Sequence, residues 1–286
     1  DGSPSHDRKA LVQCRARGVF KKRQITPLVG DRVEYALSDT GEGTVTQIFP
    51  RHSELTRPPI ANVDQVVLVF SVDELALSVL LLDRFLAHIE FAGLETILCL
   101  TKGDLLEGAS AQAAERLRET ARLYEDVGYR VIVTSARSGS GLEELRETLS
   151  GKISVFAGQS GVGKSSLLNA LEPGLKLATN EISTNLCRGK HTTRHVELHP
   201  LRSGGWVADT PGFSQLDFPQ MEAEQLSDCF REFRSVKTAC RFRGCLHLSE
   251  PGCAVREAAE AGEVARSRME HYHLFLKELL DRKRRY

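Results

Sequence analysis

The sequence predicts an α/β fold: a parallel sheet covered by helices on both faces, preceded by a small β module and followed by a helical region. Three observations carry this expectation. From residue 63 to about 219, short and nearly continuous apolar segments alternate with amphipathic segments of helical period. That is the pattern of strand–helix–strand units feeding one buried sheet. Residues 1–62 instead alternate in steps of two and are broken by Gly, Pro and Asp, whereas residues 220–286 gather cysteines and a histidine in one short stretch.

A chain of 286 residues accommodates one large domain or two to three small ones. The formal charge is zero overall but unevenly spread, at +3 over residues 1–63, −7 over 64–150 and +4 over 151–286. Two basic ends around an acidic middle suit contact with a polyanion on selected faces, although an unevenly charged soluble enzyme has the same profile. No run of 18 apolar residues occurs, which argues against a membrane span, and no signal peptide is visible. Seven cysteines is an odd number, and three of them cluster with a histidine. This favours a reducing compartment and a metal site over a disulfide framework.

Residues 1–10 are polar. Segments 12–20, 32–37 and 43–49 read as strands of an antiparallel module, a small barrel that ends near Pro58-Pro59. Lys21-Lys22-Arg23 falls between two of these strands, as either a solvated hairpin tip or a phosphate-contact patch. Strands are then expected at 65–70, 95–100, 129–134 and 152–157, with helices at 80–93, 109–126 and 142–149 between them. Residues 172–200 look irregular apart from a short strand at 195–198, and 206–208 reads as a further strand. A last helix at about 262–277 leads to the basic tail Arg282-Lys283-Arg284-Arg285.

The chemistry is concentrated in Gly158-Gln159-Ser160-Gly161-Val162-Gly163-Lys164-Ser165, a full match to the phosphate loop G-x-x-x-x-G-K-[ST]. A strand precedes it and a helix beginning at Ser166 follows, as the motif requires. Its glycines let backbone N–H groups converge on phosphate oxygens at the positive end of a helix. Lys164 reaches the terminal phosphates and Ser165 takes a Mg2+ position. Asp209-Thr210-Pro211-Gly212, at the end of a strand, supplies a second Mg2+ contact through Asp209 and a close backbone approach at Gly212. Between the two motifs, Thr192 or Thr193 in Gly189-Lys190-His191-Thr192-Thr193-Arg194 suits a segment that closes over Mg2+; spacing does not choose between them.

Asp104, in Thr101-Lys102-Gly103-Asp104, can accept hydrogen bonds from both the ring N–H and the amino group of guanine, a pair that adenine lacks. The Lys102 stem can cover the base, and Ser135-Ala136 after the next strand can offer a backbone N–H to the guanine oxygen. A surface turn uses the same residue types; membership in one sheet gives the motif its weight. Near the C-terminus, Cys240-x4-Cys245-x-His247-x5-Cys253 offers three thiolates and an imidazole, a closed structural zinc set. Cys14, Cys99, Cys187 and Cys229 are expected as small apolar fillers. Lys237, Arg241 and Arg243 suit either an RNA-facing surface or a plain solvated face, while His271, Tyr272 and His273 read as packing or surface residues more readily than as base-stacking ones.

The motif order, with the base-recognition loops ahead of the phosphate loop, is a permutation of the usual guanine-nucleotide order. Together with segments 156–170, 189–197, 208–213 and 240–253, it resembles the RsgA family, also called YjeQ or YloQ. The resemblance implies an OB-fold β-barrel at 1–62, a circularly permuted P-loop GTPase domain at 63–219 and a helical zinc-binding domain at 220–286. It implies a cytoplasmic GTPase, monomeric, that takes GTP and GDP with Mg2+, carries one structural Zn2+ and acts on the 30S ribosomal subunit and its 16S rRNA. Where the family usually has Asn this chain has Thr101, which can still bond to the phosphate loop. The barrel is expected to lack its first strand or strands. Phe213 stands where many GTPases place a water-orienting glutamine, and the resemblance points to His191 as the catalytic group beside Lys164. A GTPase for another RNA or protein partner, and a non-catalytic nucleotide-regulated rRNA-binding module, are the alternatives; Phe213 keeps the latter open.

Overall fold

The computed structural model describes residues 11–22, 24–39, 41–56, 59–75, 79–175, 177, 196–209 and 221–283. The chain divides into two compact units between Val63 and Asp64.

In the first unit, β1 (Cys14–Ala16), β2 (Val33–Leu37) and β3 (Gly43–Ile48) form a three-stranded sheet of order β1-β3-β2, and β4 (Glu54–Thr56) pairs with β5 (Pro59–Ala61). Two expectations change here. The segment read as one strand over 12–20 ends at Ala16, and Gly18–Lys22 turns into the one-turn helix α1, which buries Phe20. β1 then pairs with β3 in parallel, so the module is mixed rather than wholly antiparallel. The reason is topological: α1 and β2 lie between the paired strands and bring the chain back in the same direction. Cys14 is exposed rather than an apolar filler, because all three residues of β1 face solvent. Arg51 organises the interior of this unit, with Nε and Nη2 at 2.7 and 2.9 Å from the two oxygens of the buried Asp31 carboxylate.

The second unit is built on a six-stranded sheet of order β10-β11-β9-β6-β7-β8, comprising β6 (Gln65–Ser71), β7 (Glu95–Thr101), β8 (Arg130–Val133), β9 (Ile153–Ala157), β10 (Leu198–Pro200) and β11 (Trp206–Asp209). All neighbours are parallel except the edge pair β10–β11. Every residue of β6 is buried, which is why its interior, Val66 to Phe70, is apolar without alternation. One face of the sheet, including Val67, Ile97, Phe156 and Val207, packs on α5 (Leu142–Leu149) and α6 (Lys164–Leu171). On the other face Phe70 meets Phe85 of α3 (Val79–Phe91) edge to face, with centroids 5.8 Å apart. A one-turn helix, α2 (Val72–Leu75), follows β6 directly. α4 (Ala111–Asp126) starts where Ser110 accepts a hydrogen bond from the Ala113 N–H at 3.2 Å.

The helical region contains α7 (Arg231–Val236), α8 (Ala254–Glu260) and α9 (Arg266–Lys283). Phe230, Phe233, Tyr272 and Phe275 pack on one another at its core, with centroids 5.0–6.4 Å apart and only the Phe230–Phe233 pair stacked. The last helix starts four residues later than its sequence period suggests and runs further. Gly262, at φ +82°, closes α8, and the Glu263 N–H bonds back to Ala258 O, so no helix can pass through 262. α9 is joined to the sheet's own helices by a buried ionic network. Arg268 is 1 % exposed and donates to Asp83 of α3 and, through two nitrogens, to Glu232 of α7. Asp83 also accepts from Tyr124 of α4 at 2.6 Å and sits 2.5 Å from Nδ1 of His271. Burial works against the Arg268 charge, but Asp83 and Glu232 outweigh it and keep the guanidinium ionised. No helix among the described residues is long and apolar enough to cross a membrane.

Candidate nucleotide site and metal centre

Parallel pairing sends β6, β7, β8 and β9 out of the sheet at one edge, so the loops after them share it. The phosphate loop leaves β9 beside Val69 of β6. Gly158 is required there: its φ is +140°, and a Cβ would meet Val69 O at 2.2 Å. Gly158 and Val162 are buried while Gln159, Ser160 and Gly161 are exposed, so the loop presents its crest to solvent. Gly163, at φ +99°, forms the entry to α6. Lys164 folds back over its own loop, its Nζ donating to Gly158 O at 2.8 Å and Gln159 O at 2.7 Å. Ser165 and Ser166 begin α6 directly behind it.

The two base-recognition loops meet. Thr101 ends β7, and Lys102 adopts a left-handed conformation at φ 61° to start the 3₁₀ turn Gly103–Gly108. The Gly103 N–H donates to Thr134 O at 2.9 Å, joining this turn to the end of β8. Asp104 accepts a 2.6 Å hydrogen bond from Ser135 Oγ, which in turn accepts from the N–H groups of Arg137 and Ser138 at 3.2 and 3.1 Å. Ser135 is buried, while Ala136 beside it is exposed.

Thr101 connects this assembly to the phosphate loop. Its hydroxyl lies 2.5 Å from Val162 O and 3.2 Å from Phe70 O, and a Cβ at Gly163 would lie 3.6 Å from the same oxygen. Threonine therefore makes the cross-loop bond at this position. Sequence reasoning missed Asp73, whose carboxylate lies 3.2 Å from Lys102 Nζ and also holds Ser71 Oγ. The available signal was an acid two residues beyond an uncharged strand, in a sheet whose neighbouring strands both end on motifs. Asp209 closes β11, while His191, Thr192, Thr193 and Gly212 lie outside the described residues.

The cysteine–histidine set converges. The ligand atoms of Cys240, Cys245, His247 and Cys253 all lie within 4.8 Å of one another. His247 Nδ1 points into the group, 3.3 Å from Cys253 Sγ and 3.7 Å from Cys240 Sγ. Its backbone takes φ +58°, and Glu250 secures the turn by accepting from the N–H groups of Leu246, Leu248 and Ser249 at 2.8–3.0 Å. Three soft sulfur donors and one nitrogen around a single point fit a structural Zn2+ with no position left for water. Tyr272 and His273 support the same turn through the carbonyls of Leu246 and His247, so both are packing residues here. Cys99 and Cys229 are buried fillers, and burial pushes each thiol up to about 12.

A phosphate loop whose strand lies in one sheet with two earlier base-recognition loops defines a circularly permuted P-loop GTPase. Residues 48–219 match the family described as RsgA GTPase, and residues 6–45 match the RsgA N-terminal domain. The small ribosomal subunit biogenesis GTPase RsgA of Bacillus velezensis is 53% identical over 276 residues, covering 96% of this chain and 92% of that protein. Its Bacillus subtilis counterpart is 50% identical over 282 residues, covering 99% and 94%. Among solved structures, YloQ, described as a circularly permuted GTPase, superposes with a TM-score of 0.83 at 45% identity over 99% of this chain and 91% of that one. YjeQ from Thermotoga maritima gives 0.82 at 42% identity over 93% and 89%. The chain belongs to the RsgA GTPase family.

Proposed function

We propose that the chain hydrolyses GTP and couples hydrolysis to late maturation of the 30S ribosomal subunit, contacting its 16S rRNA. The observation that supports this most is the joining of the Asp104–Ser135 pair to the phosphate loop through the Thr101 hydroxyl. In this reading Asp104 accepts from the guanine ring N–H and amino group, the Ala136 N–H donates to the guanine oxygen, and Lys102 covers the base. The backbone from Gly158 to Ser166 takes the phosphates. Lys164 exchanges the carbonyls of Gly158 and Gln159 for the terminal phosphate oxygens, which carry more negative charge. Ser165, Asp209 and one of Thr192 and Thr193 would hold Mg2+, which neutralises phosphate charge when bound, and Gly212 admits the backbone to the third phosphate. Phe213 cannot orient water, so His191 supplies the polar group once the partner docks.

The working division is a barrel-type module at 1–62, the GTPase at 63–219 and the zinc-binding helical part at 220–286. GTP turnover measured alone, with 30S and with 50S subunits tests the reading. Selective stimulation by 30S is expected, with His191→Ala losing at least about tenfold of the stimulated rate. Equal rates with both subunits would remove the partner assignment, and equal stimulated rates in the variant would remove His191 from the mechanism.

A further inference from the structure

The sheet edge that carries the nucleotide motifs has one loop to which no nucleotide role is assigned, the turn after β6. β6 lies between β9, which leads to the phosphate loop, and β7, which leads to Asp104. The register sets Ser71 beside Thr101. Ser71 is fully buried, and its hydroxyl bonds to the Asp73 carboxylate, fixing where that carboxylate sits. Both Asp73 oxygens then face the Lys102 ammonium, at 3.2 and 3.5 Å. Burial pushes the Asp73 carboxyl up, but the Ser71 and Lys102 contacts outweigh it and keep it ionised.

A lysine stem forms a wall only if both its ends are held. The left-handed backbone fixes Cα of Lys102, and Asp73 is the group that fixes Nζ. Without that charge, a four-carbon stem recovers most of its rotamer freedom and must be ordered again at each binding event. We infer that Asp73, held by Ser71, is a positioning residue for guanine nucleotide binding: it anchors the Lys102 ammonium so that the lysine stem is set in place over the base site before nucleotide arrives. The inference rests on the reading of Asp104 as the base-recognising group.

A double-mutant cycle on the full chain tests it, using fluorescent GDP and GTP titrations and steady-state turnover. Asp73→Asn should weaken GDP and GTP alike by about two- to fivefold, the scale of a half-exposed ion pair. The loss should fall on Kd and KM rather than on kcat. In a Lys102→Gln background the same change should cost nothing further, an absence of additivity that a merely structural role for Asp73 would not produce. Full affinity in Asp73→Asn, or an equal loss in both backgrounds, overturns the inference. Asp104→Asn separates this from failure of the underlying reading. It should move preference from guanine to xanthine nucleotides, whose second carbonyl accepts from the new amide; retained guanine preference would overturn the base site itself.

Discussion

At Thr101 one buried hydroxyl faces two carbonyls, Phe70 O within the sheet and Val162 O in the phosphate loop. Thr101→Val keeps the shape and removes the donor, leaving the Val162 carbonyl without this partner. The expected cost is about 1–2 kcal/mol of stability, with looser nucleotide binding, read from thermal melts and GDP titration. A variant with unaltered melting and affinity would show that the loops are aligned by packing alone. The sequence made Asp104, Ser135 and the phosphate loop legible because each belongs to a motif of fixed spacing. Asp73 was not legible. Its partner lies 29 positions away, and the two meet only because β6 and β7 pair in a register that sequence does not display.

At the scale of elements, the strands of the large sheet were the easiest to read, because burial on both faces leaves apolar runs. The ends of helices were harder. α9 begins late because Gly262 terminates its predecessor, a backbone effect that a hydrophobic period does not report. The parallel β1–β3 pairing was likewise hidden, since strand direction depends on what intervenes. The network around Arg268 combines charges from α3, α7 and α9 that are distant in the chain. Arg268→Met would leave Glu232 without its cation and Asp83 with only Tyr124 and His271, and should lower unfolding free energy by about 3–5 kcal/mol in denaturant titrations. A loss below about 1 kcal/mol would mean that water reaches the carboxylates. The metal centre has its own test. Chelation should release one zinc per chain and melt the packing around Phe233 and Tyr272, since structural zinc contributes on the order of 10 kcal/mol to comparable sites. A chain that loses zinc without losing near-ultraviolet circular dichroism would contradict a structural role.

Across the whole molecule, the permuted order matters less than the sheet that undoes it. Motifs met in the chain as base loop, second base loop and phosphate loop are brought to the same edge of the sheet because their strands are parallel, with β6 between the phosphate-loop strand and the first base-loop strand. Parallel strands require long crossovers, and those crossovers are helices that cover both faces of the sheet, so one topological fact accounts for both core and site. The ionic network then ties the helical part, with its metal centre, to Asp83 of α3 in the same unit, the carboxylate that Tyr124 of α4 also bonds. Guanine specificity requires one pocket that grips base and phosphates together. Parallel equilibrium titrations of the purified chain with GDP and ADP measure that most directly. Guanine should bind at least about a hundredfold more tightly, because adenine leaves the polar groups around Asp104 unpaired. Equal affinity for the two nucleotides would contradict the account.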